Sequence, residues 1–253
     1  MTSEPSTQTD ALLDALDQEW LAGAREGVAA KPESVTRHFA AAGRRAGRAP
    51  LPDVPGWTAD EAARAVLLAA LPPDAVAGQV ADLYRYGDAD EKRAVLKALP
   101  LLPVGAEAVP LLHDAIRTND TRLVAAALGP YARHLDQTMW RQAVLKCVFM
   151  GVPLAAVDRL DERADAELAG MLAAFAEERT AAGRHTPDDA TALLGRLTGE
   201  KPGAPAGENS GAPAGENSGA PAGEKPGDLS GEKPGEKPDR PTGENRPTSE
   251  KEA

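Results

Sequence analysis

The stretch HLDQTMWRQAVLKCVFMGVPL, residues 134–154, brings together the kinds of side chain from which sites are made: His134, Asp136, Arg141, Lys146 and Cys147, the only cysteine of the chain. Metal binding is the first chemistry to weigh. His134 and Asp136 stand two positions apart, which on a helix turns them to different sides, and no third ligand is evident. The other histidines, His38, His113 and His185, lie far off and form no H-x-x-x-H pair. No metal and no cofactor are expected, and Asp136 reads better as the N-cap of the helix that follows. Nucleophilic chemistry is the second. Cys147 shares a helix side with Trp140 and Val144 and is followed by Val148, Phe149 and Met150, a setting for a small buried hydrophobe rather than a thiolate.

Anion binding is the third. From Asp136 to Met150 apolar groups occupy almost the whole circumference, leaving a narrow polar stripe of Thr138, Arg141, Gln142 and Lys146. A helix of that kind is expected at the centre of its domain. Arg141 and Lys146 must then meet an internal carboxylate, snorkel to water, or hold the anion of a ligand. With His134 and Asp136 they form the candidate ligand-binding set, and no catalytic residue is assigned.

The remaining chemistry is mostly eliminated. No serine occurs between Ser34 and Ser210, and Ser34 lacks a G-x-S-x-G context. Neither G-x-x-x-x-G-K-[ST] nor a single G-x-G is present, which removes the usual phosphate cradles and dinucleotide fingerprints.

The elements that would position these residues are helices throughout. Residues 9–29 place Leu12, Leu13, Leu16, Trp20, Leu21, Ala24 and Val28 at spacings of three and four, predicting one helix with one apolar face. Thr58 with Glu61, and Asp88 with Glu91, predict capping boxes. Pro73 opens a further helix, and Gly87 is placed to end it. Pro110 and Gly129-Pro130 are expected to kink or end the next two, and RADAELAGMLAAFAEERTAAG and TPDDATALLGRL complete the series. The expected fold is all-α, either stacked helical hairpins of the HEAT or armadillo kind, from starts about 30 residues apart at Asp90 and Asp120, or an irregular helical bundle.

Residues 9–198 are expected to be the domain, with a disordered N-terminus at 1–8. Residues 199–253 hold eleven glycines, nine prolines, no aromatic residue and variants of GAPAGENS. Such a composition cannot bury enough apolar surface to offset chain entropy, so a disordered tail is expected. The net charge of -11 leaves no basic excess to displace counterions from phosphates, which argues against nucleic acid. The longest apolar run, AVLLAAL, is too short to span a membrane, the start MTSEPSTQTD has no signal-peptide form, and one cysteine permits no internal disulfide. A cytoplasmic location is the expectation.

Residues from NDTRLVAAALGPYARHLDQTMWRQAVLKCVFMGVPL through LDERADAELAGMLAAFAEERTAAGR resemble the EboA family. The likeness is carried by Asn119-Asp120, His134-x-Asp136, Trp140-x-Gln142-x-Val144-Leu145-Lys146, Phe149-x-Gly151-x-Pro153, Glu167-Leu168 and Ala182-Gly183-Arg184. It extends over about residues 80 to 185, and the tail has no counterpart. The resemblance implies a cytoplasmic helical component of a bacterial system that makes or moves a metabolite precursor across the inner membrane. Its implied partners are the other proteins of that system, including a UbiA-type membrane prenyltransferase, and a small anionic metabolite. It brings no established catalytic residue. A non-catalytic adaptor or carrier is the leading expectation, and an enzyme of an unfamiliar helical kind, acting on a phosphorylated or prenylated intermediate, is the alternative.

Overall fold

The computed structural model describes residues 5–16 and 19–199. The tail expected at 199–253 and the start of the expected N-terminal segment therefore lie, but for Gly199 and Pro5 onward, outside the described residues. Within them the chain is all-helical: α1 Pro5–Asp14, α2 Glu19–Ala30, α3 Val35–Arg45, α4 Ala59–Ala69, α5 Pro73–Tyr86, α6 Ala89–Ala98, α7 Val109–Arg117, α8 Thr121–Ala127, α9 Gln137–Met150, α10 Leu160–Arg163, α11 Ala166–Ala181 and α12 Asp188–Thr198. Short 3₁₀ turns join several of them.

The single helix expected at 9–29 is two helices. Leu12 and Leu16 on one side of the break, and Leu21, Ala24 and Val28 on the other, are all buried in the same core. α1 packs on α4 and on the turn Leu99–Leu101, whereas α2 packs on α4 and on the turn Pro32–Ser34. The apolar period thus runs across two helices that share α4 as a neighbour and differ in the second one.

Local signals place the helix ends. Asp88 accepts from the Glu91 N–H at 2.8 Å, and the Glu91 carboxylate accepts from the Asp88 N–H at 3.0 Å, completing a reciprocal box. Asp136 caps α9 by accepting from the Met139 N–H at 2.8 Å. At the other end of α9, Gly151 takes φ 72°, and the N–H groups of Gly151 and Val152 bond back to Val148 and Cys147, a Schellman closure. Gly87 ends α5 for a different reason. Its φ is -74°, open to any residue, but a Cβ there would sit 2.5 Å from the Leu83 carbonyl oxygen.

α9 is not the central helix. One face carries buried Trp140, Ala143, Val144, Cys147 and Val148, while Phe149 is 73% exposed. The helix enclosed on all sides is α4, where every residue from Ala59 to Leu68 is buried. It lies among α1, α2, α3 and α6. From there α6 packs on α8, α8 on α9, α9 on α11 and α11 on α12, with α5 set against α6 and α7 against α8. Apolar content around a circumference allows central burial, but the neighbours on each side decide it.

Candidate functional site

The four residues singled out in the sequence face four different surroundings. Arg141 reaches the N-terminus of α11, donating to both carboxylate oxygens of Asp165 (2.6 to 3.0 Å), and lies 2.7 Å from Glu167. The Arg141 hydrogen bonds hold the Asp165 carboxyl well below the usual carboxylate range, helped by the Leu168 N–H that Asp165 caps. Lys146 pairs with main-chain oxygens rather than with a carboxylate among the described residues. Its ammonium donates to the carbonyls of Ile116 at 2.6 Å and Thr118 at 2.8 Å, closing the C-terminal end of α7. His134 stands 4.7 Å from the Tyr131 ring, and burial, with the Arg133 charge, lowers its pKa toward the neutral imidazole. Asp136 is the cap of α9. Cys147 is buried, and that burial pushes its thiol up to about 12, which leaves no thiolate at neutral pH.

None of the four lines a cleft of about 660 Å³ that is partly open to solvent. α6 and α8 form its walls, the loop before α4 contributes Gly56 and Trp57, and the turn after α9 contributes Gly151 to Pro153. Its surface is mainly apolar, from Leu96, Pro100, Ala125, Ala126 and Val152, with Arg93, Lys97 and Arg122 as the cations. Lys97 is held on three sides: its ammonium donates to the Gly56 carbonyl at 2.6 Å, stands 4.3 Å from the Trp57 ring centroid, and pairs with the Glu61 carboxylate. Arg93 pairs with the same carboxylate at 3.1 Å. Burial lowers the Lys97 pKa, an effect that Glu61 opposes.

Glu61 is thus more than a cap. Its Oε2 accepts from the Thr58 N–H at 3.1 Å, as the capping pattern predicts, while the same carboxylate anchors two cations from α6. Behind it, buried Asp60 pairs with buried Arg64, whose Nε donates to the Phe39 carbonyl at 3.2 Å. Sequence reasoning missed this assembly, although one signal was present. Arg93 and Lys97 stand at i and i+4 on α6, where like charges repel unless an anion faces them. The arrangement presents cations beside an apolar floor, a layout common to small-molecule sites. Among the described residues no three His, Cys, Asp or Glu side chains cluster as metal ligands, and no helix is long and apolar enough to cross a membrane.

The family model described as metabolite traffic protein EboA matches residues 31–195, which include the cleft walls and all four sequence candidates. Neither a curated protein nor a solved structure matches the chain.

Proposed function

Since the chain belongs to the EboA family, we propose that it serves metabolite traffic as a non-catalytic carrier, with the cleft between α6 and α8 as the seat of its cargo. The cleft carries this reading: its volume lies in the range of small-molecule sites, and apolar walls with a few converging polar groups are what such sites require. Arg141, Lys146, His134 and Asp136 serve in it as framework, a part supported by their contacts with helix ends and a neighbouring ring. The successive packing of α4, α6, α8 and α9 supports a short solenoid in the manner of HEAT arrays, whose inner surface suits such a cleft. In this reading the carrier works on the cytoplasmic side of the inner membrane, and other proteins of the system, a UbiA-type prenyltransferase among them, supply or receive the cargo.

The test fills the cleft. Ala125→Trp places a large ring between the walls at a half-buried position. Native mass spectrometry of the protein drawn from its own cells is expected to show a small-molecule adduct on the parent chain and none on the variant, and metabolite export is expected to fall. Normal export with a folded Ala125→Trp chain would overturn the carrier reading. Conversion of the cargo on incubation with the parent chain would put an enzyme in its place.

A further inference from the structure

The charges around the cleft do not balance, and the imbalance has an address. Among the described residues Asp60 pairs with Arg64, Glu61 pairs with Arg93 and Lys97, and the Asp60 charge also acts on Lys97, so the group holds three cations against two carboxylates. Asp60 is paired with Arg64 in the interior and acts on Lys97 only from a distance, so among the described residues Glu61 is the carboxylate in ion-pair reach of both Arg93 and Lys97. The Glu61 side chain is only 4% exposed and also accepts from the Thr58 main chain. The excess cation is therefore partly withdrawn from water, since the Lys97 side chain is 15% exposed and the Arg93 side chain 34%. At the cleft's other cation the account closes. Arg122 lies between Asp90 and Asp120, and Arg48 shares Asp90, two cations against two carboxylates. In a chain of net charge -11, a half-buried positive excess beside an apolar floor is a local arrangement that opposes the overall charge.

We propose that the cleft takes an amphipathic anion, its phosphate or carboxylate seated against Arg93 and Lys97 and its apolar body lying on Leu96, Pro100, Ala126 and Val152. The inference rests on the carrier reading and adds the chemistry of the cargo. Arg93 offers a planar fork suited to either head group, and Lys97 a point charge, so their shared neighbour Glu61 would give up part of its pairing as the anion arrives. A neutral body of the same shape would gain the apolar floor but leave that excess charge unanswered. A cation would meet it directly and be repelled.

The full chain is titrated by calorimetry with decyl phosphate, decanoate, decanol and decyltrimethylammonium, all below their aggregation limits. Both anions are expected to bind at least about tenfold more tightly than decanol, the yield of a charge-assisted contact, with the ammonium weakest. The tighter of the two anions identifies the head group. Lys97→Met and Arg93→Met, each leaving Glu61 one cation, should remove most of that preference, whereas Glu61→Gln should enlarge it. Equal binding of decanol and the anions, or an anion preference that survives both cation variants, overturns the inference while leaving a carrier of neutral cargo. Failure of every amphiphile, with an adduct still lost from Ala125→Trp, overturns the inference alone; failure together with normal export from the filled variant overturns the carrier reading as well.

Discussion

The Lys146 ammonium sits on the carbonyls of Ile116 and Thr118, at the end of α7 where the helix dipole is negative and main-chain acceptors lack helical partners. Lys146→Met keeps most of the stem and removes those two bonds. It should lower stability by about 1–3 kcal/mol, read as a shift of the urea midpoint with unchanged slope. Anion affinity should stay as it was, because Lys146 does not line the cleft. The Arg141–Asp165 pair predicts a pH effect of definite sign. The Asp165 pKa is lowered in the folded chain, chiefly by the Arg141 hydrogen bonds. Its contribution is therefore complete above the ordinary aspartate value of about 3.9 and is lost as the pH falls from there through the lower folded value. Asp165→Asn keeps the cap acceptor but not the charge. The parent and variant urea midpoints should differ at neutral pH and converge in acid, by a modest amount that salt reduces, since the Asp165 side chain is 36% exposed.

Two helix ends that both use glycine should respond differently to alanine. At Gly151 the cost comes from φ 72° alone, with nothing near the new methyl, so about 1–2 kcal/mol is expected. At Gly87 the backbone angle is ordinary, but the methyl meets a main-chain oxygen at 2.5 Å and also crowds the Glu91 side chain of the adjoining box. Neither neighbour can move without disturbing a helix end, and Gly87→Ala should cost roughly 2–3 kcal/mol. Thermal unfolding of the pair ranks them. A loss at Gly87 smaller than that at Gly151 would mean that the close approach at Gly87 relaxes freely.

Across the whole molecule, the most consequential choice is the burial of a charged stretch. α4 carries Asp60, Glu61 and Arg64 into the centre of the domain, where the Arg64 side chain is 3% exposed. Arg64→Met would leave Asp60 a buried charge without its cation and remove the bond to the Phe39 carbonyl. A loss of about 3–5 kcal/mol is expected, with much of it recovered in the double variant Asp60→Leu with Arg64→Met, where no charge is stranded. A double-variant cycle by denaturant unfolding measures this coupling. The same enclosure orients Glu61 toward α6, so the interior cluster and the cleft wall are one electrostatic unit.

What the sequence determined by itself was written within a turn or two of chain. The helical periods, the Asp88 and Asp136 caps and the burial of Cys147 all follow from neighbours at most a few positions apart, where bond geometry leaves few alternatives. Tertiary structure decided which apolar helix became the centre, and it chose α4, whose charges argue against burial until their partners are known, over α9, whose composition invites it. It also decided that Arg141 finds Asp165, that Lys146 finds the end of α7, and that Glu61 faces Arg93 and Lys97 across the fold. Those partners lie 24 to 36 positions away, so their meeting depends on how successive helices stack. A side chain's own surroundings in sequence record its conformational preference but not the surface that will be laid against it.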